Sequence, residues 1–324
     1  MPGDPWGQMR FAYWVRDRTL DPVLANLQTR LTEVAATCYL PDTTFLNQLV
    51  ELLEDKRQIV LYGPPGTGKT FIARQLAAAL APDESRRRFV QFHPSTSYED
   101  FFEGYRASTD AADNLSYKLT SGPFAQLADH AVLDHKQHLL VIDELNRANI
   151  PKVFGELLFL LEYRDQDVAA LYRPDGFQLP PNLWIIATMN TADRSIASID
   201  AALRRRFHFV SVLPDEGPLA GLLERYLRQN NAEHEWSRLV AMVNGELRGR
   251  LGSSDLLLGP SHFMKPGLNE DKMAQIWRYN VEPFIDDLFY GDDAAIAEFH
   301  WTEVLGRFHR PAGLIETNGE SAEQ

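Results

Sequence analysis

Cysteine is nearly absent from this sequence, because Cys38 is the one cysteine in 324 residues. A single thiol excludes an intramolecular disulfide framework of the kind that small secreted domains need. No apolar run approaches the ~20 residues that a membrane-spanning helix requires. The first seven residues also lack the charged and apolar regions of a secretory signal. We therefore expect a cytoplasmic protein with no part in a membrane.

Basic charge is also in short supply, since 32 Lys and Arg stand against 45 Asp and Glu, for a net charge of −13. General DNA binding depends on Lys and Arg that neutralise phosphates, so this chain is not expected to bind DNA strongly by itself. From Pro214 onward the imbalance is 19 acidic against 10 basic residues. This acidic third is either a solvated face or a docking surface for a basic partner.

Residues 63–70 have the pattern G-x-x-x-x-G-K-[ST] of a phosphate-binding loop. The apolar residues 59–62 before it are typical of a buried parallel strand, and the Ala- and Leu-rich residues 71–80 after it are typical of a helix. Such a loop wraps backbone N–H groups around a phosphate at a helix N-terminus. The predicted nucleotide-binding residues are Gly63, Pro64, Pro65, Gly66, Thr67, Gly68, Lys69, Thr70 and, from a later strand, Asp143.

Two acidic residues, Asp143 and Glu144, follow the apolar residues 138–142. In an open α/β sheet, the carboxyl end of such a strand lies beside the phosphate loop. We expect Asp143 and the Thr70 hydroxyl to hold Mg²⁺, and Lys69 to bind the outer phosphates. Glu144 would orient the attacking water or accept its proton.

Polar and basic residues accompany the next two predicted strands. Asn190 follows the fourth strand, where it could contact the γ-phosphate and its water, although a simple turn is the alternative. Arg204, Arg205 and Arg206 precede the fifth strand. An arginine of one subunit can stabilise charge on a neighbour's γ-phosphate, while a surface basic patch or a nucleic-acid contact is the alternative.

Alternating strands and helices predict an α/β fold with a parallel five-stranded sheet and helices on both faces. The strands are expected at 59–62, 89–92, 138–142, 183–188 and 207–212. Residues 104–121 and 168–179 predict two hairpins, the second turning at residues 174–176, and residues 153–163 predict one apolar helix. The predicted domains are an N-terminal flank (1–38), a large α/β subdomain (39–213), a helical lid subdomain (214–310) and a disordered tail (311–324).

The phosphate loop, the Asp-Glu strand end, the polar fourth strand and the late arginines, in this order, resemble an AAA+ P-loop NTPase. More narrowly, residues 143–149, 189–195 and 202–207 are similar to McrB-like proteins, the motor subunits of McrBC-type modification-dependent restriction systems. The similarity covers residues 38–290, and the Asn-Thr-Ala-Asp-Arg-Ser run is its most specific part.

This resemblance implies a hexameric GTPase that is stimulated by a McrC-like nuclease subunit. It assigns Asn190 and Asp193 to a catalytic signature loop, and Arg205 and Arg206 to fingers that act across subunits. The two hairpins would face the centre of the ring. ATP stays an alternative substrate, because the N-K-x-D guanine-reading motif of Ras-like GTPases is absent.

The resemblance also implies a separate N-terminal domain that reads modified DNA, but fewer than about forty residues precede the motor here. DNA recognition is therefore expected from another subunit or from a domain that this sequence lacks. A MoxR-type ATPase that remodels a protein is the alternative function. A nucleotide-locked scaffold is disfavoured, because it has no need for the water-orienting pair Glu144 and Asn190.

Overall fold

The structure is a computed structural model that describes residues 22–109, 115–134, 136–192 and 201–309. The chain folds into two compact units, Met1–Leu219 and Ala220–Gln324. The predicted boundary lies after Leu213. The predicted tail and most of the predicted flank fall outside the described residues.

Five strands of the first unit form one sheet in which every neighbouring pair is parallel. They are β1 (Gln58–Gly63), β2 (Arg87–Gln91), β5 (His138–Asp143), β8 (Leu183–Asn190) and β9 (His208–Ser211). Their order across the sheet is β2-β5-β8-β1-β9. The near-continuous apolar runs in the central strands are explained by burial on both faces. The predicted five-stranded parallel sheet is confirmed.

Helices cover the sheet, and their bounds follow the predicted alternation. They are α1 (Pro22–Thr37), α2 (Thr44–Lys56), α3 (Lys69–Leu80), α4 (Tyr98–Phe101), α5 (Pro123–Asp134), α6 (Ile150–Phe154), α7 (Leu157–Glu162) and α8 (Ala201–Arg206). Val60, Leu140 and Ile185 pack into one core with α5, α6 and α7. Alternate residues such as Ile59 and Leu139 are equally buried on the other face, where α3 packs against β1, β5 and β8.

The single helix predicted at residues 153–163 is wrong, because two short helices occupy this segment. Gly155 lies between them with φ +51. This positive φ, combined with ψ −128, ends α6 at Phe154, since only glycine adopts it without a steric penalty. The break matters for the site, because α7 then places Glu162 beside the arginine segment.

Two antiparallel hairpins project from this unit: β3 (Glu103–Thr109) with β4 (Leu115–Ser121), and β6 (Val168–Ala170) with β7 (Arg173–Phe177). Both predicted hairpins are confirmed. The predicted turn at residues 174–176 is wrong, because these residues lie within β7 and the chain reverses at Leu171 and Tyr172. The Leu171 N–H donates to Glu156 Oε1 at 3.0 Å, and the Tyr172 ring packs edge-on against Tyr105. These two contacts fix the turn.

In the described part of the second unit, all secondary structure is helical, as predicted. They are α9 (Leu222–Gln229), α10 (Trp236–Leu251), α11 (Glu270–Ile276), α12 (Glu282–Leu288), α13 (Asp293–Glu298) and α14 (Trp301–His309), with a π-helical segment at Trp277–Val281. Buried Trp236, Phe263, Trp277 and Phe299 form its core. The indole N–H of Trp277 donates to the Phe299 carbonyl at 2.8 Å. No helix in the described parts of either unit is long and apolar enough to cross a membrane.

Candidate nucleotide site

The phosphate loop joins the carboxyl end of β1 to the start of α3, and two of its glycines are sterically required. A Cβ on Gly63 would lie 2.3 Å from the Val212 carbonyl oxygen. This close approach exists because the Val212 N–H donates to the Tyr62 carbonyl at 2.8 Å. Gly68 precedes α3 with φ +84, which L side chains rarely adopt. The loop is therefore shaped by its glycines as predicted.

Lys69 is held inside this loop and is only 4% exposed. Its Nζ donates to the Gly63 carbonyl at 3.0 Å and to the Pro64 carbonyl at 2.6 Å, and lies 3.3 Å from the Thr67 hydroxyl. Burial lowers the pKa of the ammonium to about 8, against the opposing attraction of Asp143. These contacts place the ammonium where a helix N-terminus and backbone N–H groups favour a phosphate.

Asp143 ends β5 and is bound by two threonines. Its Oδ1 accepts from Thr70 Oγ1 at 2.6 Å and from Thr188 Oγ1 at 2.5 Å. Thr188 is a buried residue that sequence reasoning missed. The register pairs Ile142 with Ala187 and so sets Thr188 beside Asp143. One sequence signal could have found Thr188. Side chains alternate between the two faces along β8, and Thr188, two residues before Asn190, therefore shares its face.

Glu144 adopts a left-handed backbone with φ 55 and ψ 47. Such a conformation costs a non-glycine residue about 1–2 kcal/mol. Its Oε2 accepts from Gln91 Nε2 at 3.2 Å and pairs with Arg147 Nε at 3.1 Å, while its N–H donates to Thr188 at 3.2 Å. Gln91, which sequence reasoning also missed, ends β2 directly beside Asp143. The acidic pair is therefore positioned by polar residues at the ends of the two flanking strands.

Asn190 ends β8 and lies in register with Gly63, the first residue of the phosphate loop. The Thr191 N–H donates to the Gly63 carbonyl at 2.9 Å, and the Asn190 carbonyl accepts from Asn146 Nδ2 at 3.4 Å. The structure therefore brings Asn190 to the same edge of the sheet as the acidic pair. Asp193 lies outside the described residues.

The arginines lie elsewhere, at the amino end of β1. The Arg206 carbonyl accepts from Gln58 Nε2 at 2.7 Å, and the Arg205 carbonyl accepts from Lys56 Nζ at 2.8 Å. Gln58 begins β1 and Gly63 ends it, so about 17 Å of strand separates the arginines from the phosphate loop. Arg206 is 8% exposed and Arg205 is 63% exposed. The predicted fingers are therefore not brought to the phosphate loop of their own chain.

Comparison with known proteins agrees with both units. Residues 58–207 match the family described as "AAA domain (dynein-related subfamily)", and residues 235–297 match "McrB, alpha-helical lid domain". The "Type IV methyl-directed restriction enzyme EcoKMcrB subunit" of Escherichia coli (strain K12) is 34% identical over 82% of this chain and 61% of its own length. This chain belongs to the McrB-like AAA+ family.

A second relative of this McrB-like chain is the "Type II restriction enzyme BsuMI component YdiS" of Bacillus subtilis (strain 168), which is 27% identical over 72% of this chain and 77% of its own length. The match to the E. coli subunit spans less than two thirds of that protein. The predicted family and fold class are confirmed by these findings.

AAA+ membership implies Mg²⁺ together with the nucleotide, and the donor atoms of this McrB-like chain fit that ion. The Thr70 hydroxyl and the Asp143 carboxylate are hard oxygens that lie 2.6 Å apart. Among the described residues, no group of three or more His, Cys, Asp or Glu could hold a metal by itself. Two protein oxygens supplemented by nucleotide phosphates and water are the usual environment of Mg²⁺ in such sites.

Proposed function

We propose that this chain is a nucleoside triphosphate hydrolase that serves as the motor subunit of a McrBC-like restriction and defence complex. The observation that carries the proposal is the convergence of Lys69, Thr70, Asp143, Glu144 and Asn190 at one edge of the sheet. Phosphoryl transfer needs such a set, because positioning and electrostatic stabilisation supply most of its catalysis.

Binding would involve the backbone N–H groups of the phosphate loop and the Lys69 ammonium, which would exchange its loop carbonyls for the outer phosphates. Thr70 and Asp143 would hold Mg²⁺, which neutralises charge on the phosphates when bound. Thr188 would keep the Asp143 carboxylate oriented through its 2.5 Å hydrogen bond. These contacts bind the nucleotide without cleaving it.

Cleavage would require an oriented water, and Glu144 is the residue that we assign to it. Gln91 and Arg147 fix the direction of its carboxylate through Oε2. Asn190, at the end of the neighbouring strand β8, lies beside Gly63 on the same edge of the sheet. We assign Glu144 as the proton acceptor, and Asn190 with Asp193 as residues that hold the water.

The distant position of the arginines supports an oligomer. They cannot reach the phosphate loop of their own chain, and an exposed arginine suits a neighbour's γ-phosphate. We infer a ring, and a hexamer by likeness to the family. GTP is favoured over ATP by the same likeness. The single cysteine fits a cytoplasmic location.

The partners in this proposal are a McrC-like nuclease subunit and DNA that is engaged through another subunit or domain. The E. coli relative is described as a subunit of a methyl-directed restriction enzyme, and the B. subtilis relative as a component of a Type II restriction enzyme. The McrB-type lid favours this assignment over a MoxR-type remodelling ATPase.

Two measurements test the proposal together. Light scattering should give a larger mass with a slowly hydrolysed GTP or ATP analogue than without it, because nucleotide completes the interface. Phosphate release should be slow for the chain alone and faster with the McrC-like protein. An unchanged mass together with an unstimulated rate would contradict the proposed motor. Stimulation by an unrelated protein substrate would favour the MoxR-type alternative.

A further inference from the structure

The carboxylate of Glu162, the last residue of α7, binds two neighbouring arginines at once. Its Oε2 lies 3.1 Å from Arg205 Nε and 3.0 Å from Arg206 Nη2. The Glu162 side chain is 26% exposed, between the buried Arg206 and the exposed Arg205. One carboxylate therefore joins an interior guanidinium to a surface guanidinium.

The backbone that carries these arginines is fixed as well. Lys56 and Gln58 donate to the Arg205 and Arg206 carbonyls. Gln58 is buried, and its Oε1 accepts from Arg164 Nη2 at 2.7 Å. Arg164 follows Glu162 by two residues. The end of α7 therefore holds the arginine side chains through Glu162, and the residues just after it hold the backbone at the end of α8 through Arg164 and Gln58.

We propose that Glu162 is a positioning residue that holds Arg205 ready for the nucleotide of a neighbouring subunit, and that Arg206 belongs to this anchor rather than being a second finger. The inference rests on the proposed function, because it assumes that Arg205 acts across an interface. Arg206 is too buried to leave its own subunit, whereas most of Arg205 faces outward.

The geometry suits this role because the contact between Arg205 and Glu162 is made through Nε, at 3.1 Å from Oε2. Terminal N–H groups can bind phosphate oxygens in a bidentate manner, so one guanidinium can contact Glu162 and a phosphate together. A free arginine side chain has about 2 kcal/mol of rotamer entropy to lose. Glu162 would restrict that freedom before the neighbour's nucleotide arrives, which lowers the entropic cost of reaching the transition state.

The test uses mixed rings in which site and finger come from different chains. An Arg205→Ala chain keeps its site and lacks the finger, while a Glu144→Gln chain keeps the finger and lacks turnover. Mixed in equal amounts, they form complete sites only where an Arg205→Ala site meets a Glu144→Gln neighbour. We expect this mixture to hydrolyse nucleotide although each chain alone does not.

Glu162→Gln, and separately Glu162→Ala, is then added to one chain at a time. In the finger-donating Glu144→Gln chain either change should lower kcat of the mixture about tenfold or more, with KM little changed, because the arginine acts in the transition state. In the Arg205→Ala chain the same change should leave the rate nearly unaltered. Asp165→Asn, which neutralises an exposed carboxylate three residues along, is the matched control for both placements.

The outcomes separate the inference from the proposed function. An equal loss from both placements would mean that Glu162 only supports the fold, and a faster rate from the finger-donating placement would mean that it restrains Arg205. Either result overturns the inference and leaves the motor intact. A mixture that is inactive before Glu162 is changed would refute action across the interface, and both the ring mechanism and the inference would fall.

Discussion

The phosphate loop and the arginine segment lie at opposite ends of β1, and they hold their cations in different ways. Lys69 is 4% exposed and bonded to carbonyls of its own loop. Arg205 is 63% exposed and is held by Glu162, which is remote in sequence. A cation that serves its own chain can be placed by a short motif. In the proposed function Arg205 serves a neighbour, so it has to remain at the surface, and a long-range contact positions it there.

The largest expected effect comes from substitutions at the phosphate-loop end of β1, which should separate nucleotide binding from turnover. Glu144→Gln should lower kcat about 10²- to 10⁴-fold, because the amide cannot accept the water's proton. Its affinity for nucleotide should stay near the parent value, since Lys69 and Thr70 are untouched. Lys69→Ala should instead weaken binding by about 2–3 kcal/mol, or about 30- to 150-fold.

Phosphate-release kinetics and calorimetric titration would measure the two effects. Glu51→Gln, at an exposed position of α2, is the control for a glutamate-to-glutamine change. If Glu144→Gln hydrolyses at the parent rate, then Glu144 is not the proton acceptor and the roles at this end of β1 need reassignment.

The second prediction sharpens the contrast within the arginine segment. Arg206→Ala should lower the free energy of unfolding by about 1–3 kcal/mol, because it removes a buried charged partner of Glu162. Arg205→Ala should change that free energy by less than about 0.5 kcal/mol, since exposed ion pairs contribute little. Urea titrations of the nucleotide-free chain would measure both. Equal losses would show that the two arginines share one structural role.

The smallest expected effect concerns the pH dependence of binding. Burial lowers the pKa of Lys69 to about 8, and only the protonated ammonium attracts phosphate. Affinity should therefore be full below that pKa and fall as pH rises through it, by about tenfold at one unit above. Bound phosphate would raise the pKa again, which sets the upper end of this window.

A fluorescent nucleotide analogue titrated into the Glu144→Gln chain, from about pH 7 to about pH 9, would measure this dependence without turnover. Lys69→Arg is the matched control, because its guanidinium stays charged throughout. A parent affinity that is flat to the upper limit would show that Lys69 does not titrate in this range.

Much of the loop end could be predicted from the sequence, because its contacts are local. Gly63, Gly68 and Lys69 act within one short motif, and the strand before it was recognisable by its apolar run. Gln91 could not be assigned from local patterns, and the alternation that Thr188 shares with Asn190 was the one local signal for Thr188. Their proximity to Asp143 depends on the register of β2 and β8 against β5, which residues far apart in sequence determine.

The arginine end was predicted only in part. The three consecutive arginines were visible, but nothing in the run shows that Arg206 is buried while Arg205 is exposed. Their shared partner Glu162 was missed as well, because it ends a helix that begins only after the break at Gly155, which pattern reading treated as continuous helix. The role of Asp193 stays a prediction.

β1 is hydrogen-bonded on both sides, to β8 and to β9, and it cannot stretch without breaking those ladders. In the proposed ring, β1 would therefore keep a fixed distance between the nucleotide that a subunit binds and the arginine that contacts the neighbour's nucleotide. We expect a change at one nucleotide to reach the next as a rigid-body rotation of the α/β unit. The length of this six-residue strand would set how far the arginine moves for a given rotation.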